Sequence, residues 1–195
     1  MPSVRRAAII VASLSMALAG TTTATAQATP KAKAGSHCAA DLATDKTTCY
    51  DSFREVIAAA TGGRVTDAPA TPQQAAKDKK FLAKLNAPAS SPARARSAAA
   101  QSNMVGAILY EDWNYGGGSL TLRIPSACED NGGWDWGYNT LDDWNDRASS
   151  LIPANNCWVS LYSDIHFNGT EQGYRGSAPY VGDAMNDRAS SVTLT

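Results

Sequence analysis

The hexapeptide Asn-Asp-Arg-Ala-Ser-Ser occurs twice, at Asn145–Ser150 and again, unchanged, at Asn186–Ser191. A repeat of this kind constrains the fold strongly, because each copy belongs to one unit of a duplicated architecture. Each copy runs into an apolar, strand-like residue, Leu151 or Val192. Upstream of each lies a second shared pattern. Tyr110-Glu-Asp-Trp-Asn-Tyr115-Gly-Gly117 matches Tyr162-Ser-Asp-Ile-His-Phe167-Asn-Gly169, with Asp112 and Asp164 at the third place. The first pattern and its hexapeptide stand eleven residues farther apart than the second pair, and the stretch Cys128–Tyr138 accounts for the extra length.

Each part has a physical reading. Two aromatics followed by glycine suit a strand that turns back on itself. Gly117 or Gly169 supplies a positive φ that a residue with a Cβ resists, and the first aromatic packs over the turn. In the hexapeptide, Asn and Asp turn the chain and offer carboxylate or amide oxygen, while the serines offer hydroxyls. Several oxygens within six residues are ligands of the kind a calcium ion takes at about 2.3–2.6 Å. From Val105 onward the chain holds all five tryptophans, six of the seven tyrosines and eleven of the fifteen glycines. Short runs such as Val105–Tyr110, Ser119–Ile124, Trp158–Tyr162 and Ser191–Leu194 alternate with Gly, Asn and Asp clusters, the pattern of a compact all-β domain.

The doubled hairpin and loop resemble the paired signatures of the βγ-crystallin superfamily, and the likeness spans residues 105–195. The resemblance implies two Greek-key motifs packed as a sandwich, with two calcium sites between motifs that exchange ligands. Carried over by position, Ser149 and Ser190 are the hydroxyl ligands and Asp146 and Asp187 the carboxylates. Arg147 and Arg188 would give backbone carbonyls, with their side chains required to point to solvent. Glu111 and Ser163 would give carbonyls to the loop of the opposite motif. Extracellular calcium modules bind at about 10⁻⁴–10⁻³ M, and that range or somewhat tighter is expected here.

The first residues read as an export signal. Arg5 and Arg6 precede an apolar stretch, Ala7 to Gly20, and Ala24-Thr25-Ala26 offers a cleavage site before Gln27. The stretch is short for a membrane span, so a secreted, extracellular protein with no membrane partner is expected. The four cysteines allow three pairings. Cys38–Cys49 and Cys128–Cys157 is preferred because each half of the chain holds two. No C-x-x-C spacing points to zinc or a redox site.

The net charge of −1 conceals a split. Residues 27–104 carry eleven Lys/Arg and six Asp/Glu, whereas residues 105–195 carry four Arg, no Lys and twelve Asp/Glu. An acidic, lysine-free domain argues against a nucleic-acid partner and suits a hard cation. Residues 27–86 read as a small, mainly helical segment. Asp51 is placed to cap a helix through Phe53, Val56, Ile57 and Ala60 that Gly62-Gly63 ends, and Thr71-Pro72 starts a second helix carrying Phe81, Leu82 and Leu85. So few large apolar residues do not make an independent core; the segment either docks on the β domain or is partly ordered. The Ala/Ser/Pro-rich stretch 87–104 reads as a linker, and Arg94 and Arg96 make it a site for proteolytic nicking.

Catalysis is not expected. There is no H-E-x-x-H, G-x-S-x-G or phosphate-binding glycine loop, and the two histidines, His37 and His166, have no motif around them. Asp142 and Asp143, adjacent on an extended chain, would point to opposite faces. Export, disulfides and a single crystallin-type domain also resemble the secreted metalloproteinase-inhibitor family of actinobacteria. That likeness implies an extracellular metalloprotease as partner and makes the Cys128–Tyr138 stretch the candidate loop, with Trp134 and Trp136 as anchors if exposed and as core residues otherwise. A toxin-like or glycan-binding cell-wall module is a third reading, and a monomer is expected in each case.

Overall fold

Strand β3 (Met104–Asp112) buries both of its faces. Ala107 and Leu109 turn into one apolar cluster, and Val105, Ile108 and Tyr110 into another, all fully buried. A strand with period-two alternation and no exposed side needs a layer on each face. The computed structural model, which describes residues 33–87 and 103–195, supplies both. The leader expected at 1–26 and nearly all of the linker expected at 87–104 lie outside the described residues.

One layer is a second sheet. β3 pairs with β4 (Gly116–Ile124) and β6 (Ser150–Pro153). Facing them, β9 (Ser191–Leu194) lies between β5 (Trp136–Tyr138) and β7 (Val159–Tyr162), and β8 (Glu171–Tyr174) pairs with β7 at the edge. The third strand of each half crosses to the sheet of the other. β5 joins β9, and Ala178 bridges Leu151 of β6. This is a double Greek key. Its interior is filled by Leu109, Leu120, Trp144, Leu151, Leu161 and Val192, among others, all buried.

The other layer comes from residues 33–87. Its helices are α1 (Phe53–Ala60), α2 (Pro72–Lys77) and α3 (Lys79–Leu85). Phe53, Val56, Ile57, Phe81 and Leu85 pack on Val105, Ile108, Tyr110 and Ile152 of the sheet. Each large side chain buried this way contributes about 1.5–3 kcal/mol relative to exposure. The segment therefore docks, and the described residues, 33–87 and 103–195, lie within one compact unit. Thr71 caps α2 as its sequence suggests, its Oγ1 accepting the Gln74 amide at 3.4 Å. Two local details differ from expectation. Ser52, not Asp51, caps α1: its Oγ accepts the Glu55 amide at 3.3 Å and donates to Glu55 Oε2 at 2.9 Å. The second helix breaks at Asp78, whose Oδ1 accepts the amides of Lys80 and Phe81 at 2.8 and 3.1 Å and restarts it as α3.

A hairpin that the sequence did not announce precedes the helices. β1 (His37–Asp41) and β2 (Lys46–Tyr50) pair antiparallel, with Cys38 opposite Cys49 and disulfide-bonded to it. β1 then joins β4 in parallel, His37 beside Ser119 through Asp41 beside Arg123, extending the sheet to five strands. Cys128–Cys157 is the second disulfide, in the pairing preferred from the sequence. Among the described residues no helix is long and apolar enough to cross a membrane.

Candidate functional site

The two hexapeptides face each other through a reciprocal pair of backbone hydrogen bonds. The Asp146 amide donates to Ala189 O at 3.0 Å, and the Asp187 amide donates to Ala148 O at 3.1 Å. Both aspartates take positive φ, 57° and 53°, a left-handed turn that Asp and Asn tolerate better than most residues. Asn145 and Asn186 steady them, each donating its Nδ2 to the following carboxylate at 2.7 and 2.8 Å.

Each loop is also fastened to its own hairpin. The Ser149 amide donates to Tyr110 O and the Ser190 amide to Tyr162 O, both at 2.8 Å. The last serine of each hexapeptide is structural. Ser150 Oγ donates to Asp112 O at 2.6 Å while accepting the Tyr115 amide at 3.0 Å, and Ser191 Oγ repeats this with Asp164 O and the Phe167 amide. The hairpins fold as read, with Gly117 and Gly169 at φ +69° and +80°. Tyr110 meets Tyr115 at 5.6 Å between centroids and Tyr162 meets Phe167 at 5.9 Å.

The penultimate serines behave differently, and they mark the site. Both are buried, yet each hydroxyl meets oxygen. Ser149 Oγ donates to Asp187 Oδ1 at 3.0 Å, and Ser190 Oγ donates to Ser163 O at 2.8 Å. The aspartate thus reaches the serine of the other half. The hairpin carbonyl seen in contact with a penultimate serine hydroxyl, Ser163 O, has its partner within its own motif. Ser163 serves the serine of its own motif, because the loop-to-hairpin bond from Ser190 to Tyr162 brings its own half's carbonyl closest. Glu111 is the corresponding residue of the first motif, one after Tyr110, whose carbonyl accepts the Ser149 amide.

Two oxygen pairs result, Ser149 with Asp187 and Ser190 with the Ser163 carbonyl, and Glu111 and Asp146 hold the positions that correspond to Ser163 and Asp187 in the repeat. The carbonyls of Arg188 and Arg147 follow the two aspartates in sequence. Among the described residues no three His, Cys, Asp or Glu side chains converge as a metal site. The first pair instead offers an exposed carboxylate with a hydroxyl and the second a hydroxyl with a main-chain carbonyl, all hard oxygen donors of the kind a calcium-like cation takes.

The two arginines part company. Arg188 is exposed, as expected. Arg147 is not: its side chain is about 13% accessible, stacked 4.4 Å over Trp144 and ion-paired with the equally buried Glu111 carboxylate. The pairing neutralises the guanidinium where a bare positive charge would oppose a cation. Burial alone would raise the Glu111 pKa, but the Arg147 bond and the amides of Gly35 and Gly118 outweigh it and hold it below the ordinary carboxylate value. Nothing in the spacing of residues 111 and 147 signals this pair.

Elsewhere, Asp142 and Asp143 do not lie on extended chain. They occupy a 3-10 turn, and Asp142 accepts from Tyr138 Oη at 3.0 Å. His166 is exposed, and His37 packs edge-on to Phe53 with Nδ1 2.9 Å from Ser119 Oγ. Trp136 is half-buried against the core, whereas Trp134 is 60% exposed and leans on Phe167. Its loop is held by the Cys128–Cys157 bond, by the Glu129 amide on Asp135 Oδ2 at 3.1 Å and by the Asp135 amide on Leu194 O at 2.8 Å.

The description "Peptidase inhibitor family I36" matches residues 108–174. No curated protein matches the chain. Among solved structures, a double mutant of a βγ-crystallin domain from Clostridium beijerinckii is similar at 33% identity, covering 45% of this chain and 93% of that one, with a TM-score of 0.36. A βγ-crystallin domain from Flavobacterium johnsoniae is similar at 24% identity, covering 46% and 93%, with a TM-score of 0.35.

Proposed function

We propose that this chain, which belongs to the βγ-crystallin superfamily through its C-terminal half, is an exported, non-catalytic protein that binds two calcium ions. The observation that carries this reading is the meeting of Ser149 Oγ with Asp187 Oδ1 from the other loop, 3.0 Å apart and buried at one end. Two oxygens held that close can share one cation at about 2.3–2.6 Å each. Ser190 with the Ser163 carbonyl makes the second pair. Asp146, the Arg147 and Arg188 carbonyls and the Glu111 carbonyl complete the two sets by position. The disulfides agree with an oxidising compartment. Calcium bound only to the folded form would stabilise it by about 2.7 kcal/mol at a hundred times the dissociation constant.

Calorimetric titration of residues 27–195 tests this. Two binding events are expected in the parent and one in each of Ser149→Arg and Ser190→Arg. A parent that takes up no calcium at millimolar concentration reduces the loops to a structural device.

A second reading, inhibition of an extracellular metalloprotease, is favoured by the match over residues 108–174 and by the exposed Trp134 on a tethered loop. An exposed aromatic on a stiff support is the kind of residue that dominates interfaces. Arrest of a thermolysin-like protease at nanomolar concentration, weakened at least tenfold by Trp134→Ala, is the expected result. Equal inhibition by parent and variant would remove the loop from the reading.

A further inference from the structure

The two halves close their hairpins with side chains of different length. In the second half Ser163 Oγ accepts the Thr170 amide at 2.9 Å. In the first half Glu111 Oε2 accepts the equivalent amide, Gly118 N, at 2.6 Å. A serine suffices for that bond, so the longer glutamate has reach to spare. It uses that reach on groups outside the hairpin. Oε2 also accepts the Gly35 amide at 2.8 Å, and Oε1 accepts Arg147 Nε at 3.0 Å and Nη2. Arg147 in turn donates Nη1 to Asp143 O at 2.9 Å and approaches Lys33 O at 3.5 Å.

The same few residues therefore join three things: the first cation site, the loop that forms it and the start of the N-terminal segment. Ser36 O accepts the Ser119 amide at 3.1 Å, and from there β1 runs beside β4. The approach is close enough that a Cβ at Gly118 would collide with Ser36 O. Among the described residues the second site has no counterpart: Ser163 ends at the hairpin and Arg188 is exposed.

From this asymmetry we infer that the Glu111 side chain is a positioning residue which ties occupancy of the Ser149–Asp187–Glu111 site to the docking of residues 33–41. The inference rests on the calcium reading of that site. A cation held by the Glu111 carbonyl fixes the backbone from which the carboxylate reaches Gly35. Conversely, a docked residue 35 and a neutralised Arg147 fix that carbonyl beforehand. Coupling of this kind is reciprocal, so calcium tightens the N-terminal strand by the same factor by which the strand tightens calcium. The Ser190 site, lacking the strut, is uncoupled.

Hydrogen exchange of residues 27–195 with and without calcium, alongside calorimetry, tests it. Calcium is expected to slow exchange of the 35–41 amides about tenfold, within the range of ordinary coupling between sites. The slowing persists in Ser190→Arg and disappears in Ser149→Arg and in Glu111→Gln. Calorimetry of Glu111→Gln is expected to show one site weakened about tenfold, with the other kept. Calcium that binds without changing exchange at 35–41, or that protects it equally through both serines, overturns the coupling and leaves the calcium reading standing. A parent that binds no calcium overturns both. If Glu111→Gln fails to fold, the parent and the two serine variants still decide the matter.

Discussion

Tyr110 shows how the same letter in a repeat can serve two environments. Its counterpart Tyr162 keeps its hydroxyl 3.5 Å from Thr193 Oγ1. Tyr110 is wholly buried between the sheet and the helices, its ring tilted against Phe53 at 6.5 Å, and its hydroxyl finds no partner among the described residues. Burial pushes its phenol well above the ordinary range. A buried hydroxyl without a partner costs free energy that its removal recovers. Tyr110→Phe is therefore expected to leave urea stability unchanged or to raise it by about 1 kcal/mol. A loss larger than that would show that the hydroxyl is bonded after all. At this scale the sequence singled out the residues seen to meet, Ser149 with Asp187 and Ser190 with Ser163, because identical hexapeptides leave little choice of position. It misplaced the Arg147 side chain, since the carboxylate that turns it inward lies 36 residues earlier and shares no motif with it.

At the scale of elements, what could be read was what is decided locally. Thr71-Pro72, the Gly62-Gly63 stop and the hairpin glycines are governed by backbone conformation within a few residues, and they stand where the sequence put them. The cap of α1 stands one residue later than expected because Ser52, directly before Phe53, accepts the Glu55 amide and is itself held by the Glu55 carboxylate. The β1–β2 hairpin escaped notice for a different reason. His-Cys-Ala-Ala-Asp has neither clear alternation nor β-branched residues, and its stability comes from a disulfide to β2 and a parallel partner some 80 residues away. Non-local pairing of that kind leaves no local trace. The exchanged third strands, β5 and the Ala178 bridge, pair with segments distant in sequence and leave no local signal either.

Across the whole molecule the helical segment is a third layer of the fold. Without it, Val105, Ile108, Tyr110 and Ile152 would form an exposed apolar face. Asn155 fastens the join from the β side. Its Nδ2 donates to Leu85 O at 3.2 Å and Val105 O at 2.8 Å, and its amide donates to Asn86 Oδ1 at 2.6 Å. Each disulfide is confined to one side of the connection, Cys38–Cys49 before it and Cys128–Cys157 after it. Limited trypsin treatment that cuts at Arg94 or Arg96 should therefore give two bands on a denaturing, non-reducing gel but a single peak of unchanged size on a native column. Separation into two peaks on the column would mean that the buried contacts do not hold the layers without the connection.

The placement of the two bridges sets what severing the backbone can accomplish. Each locks a neighbourhood and neither locks the join, so a clipped protein would remain whole for as long as it stayed folded. The first unfolding would be its last, because the strand pair and helices would drift away from a partner to which nothing tethered them.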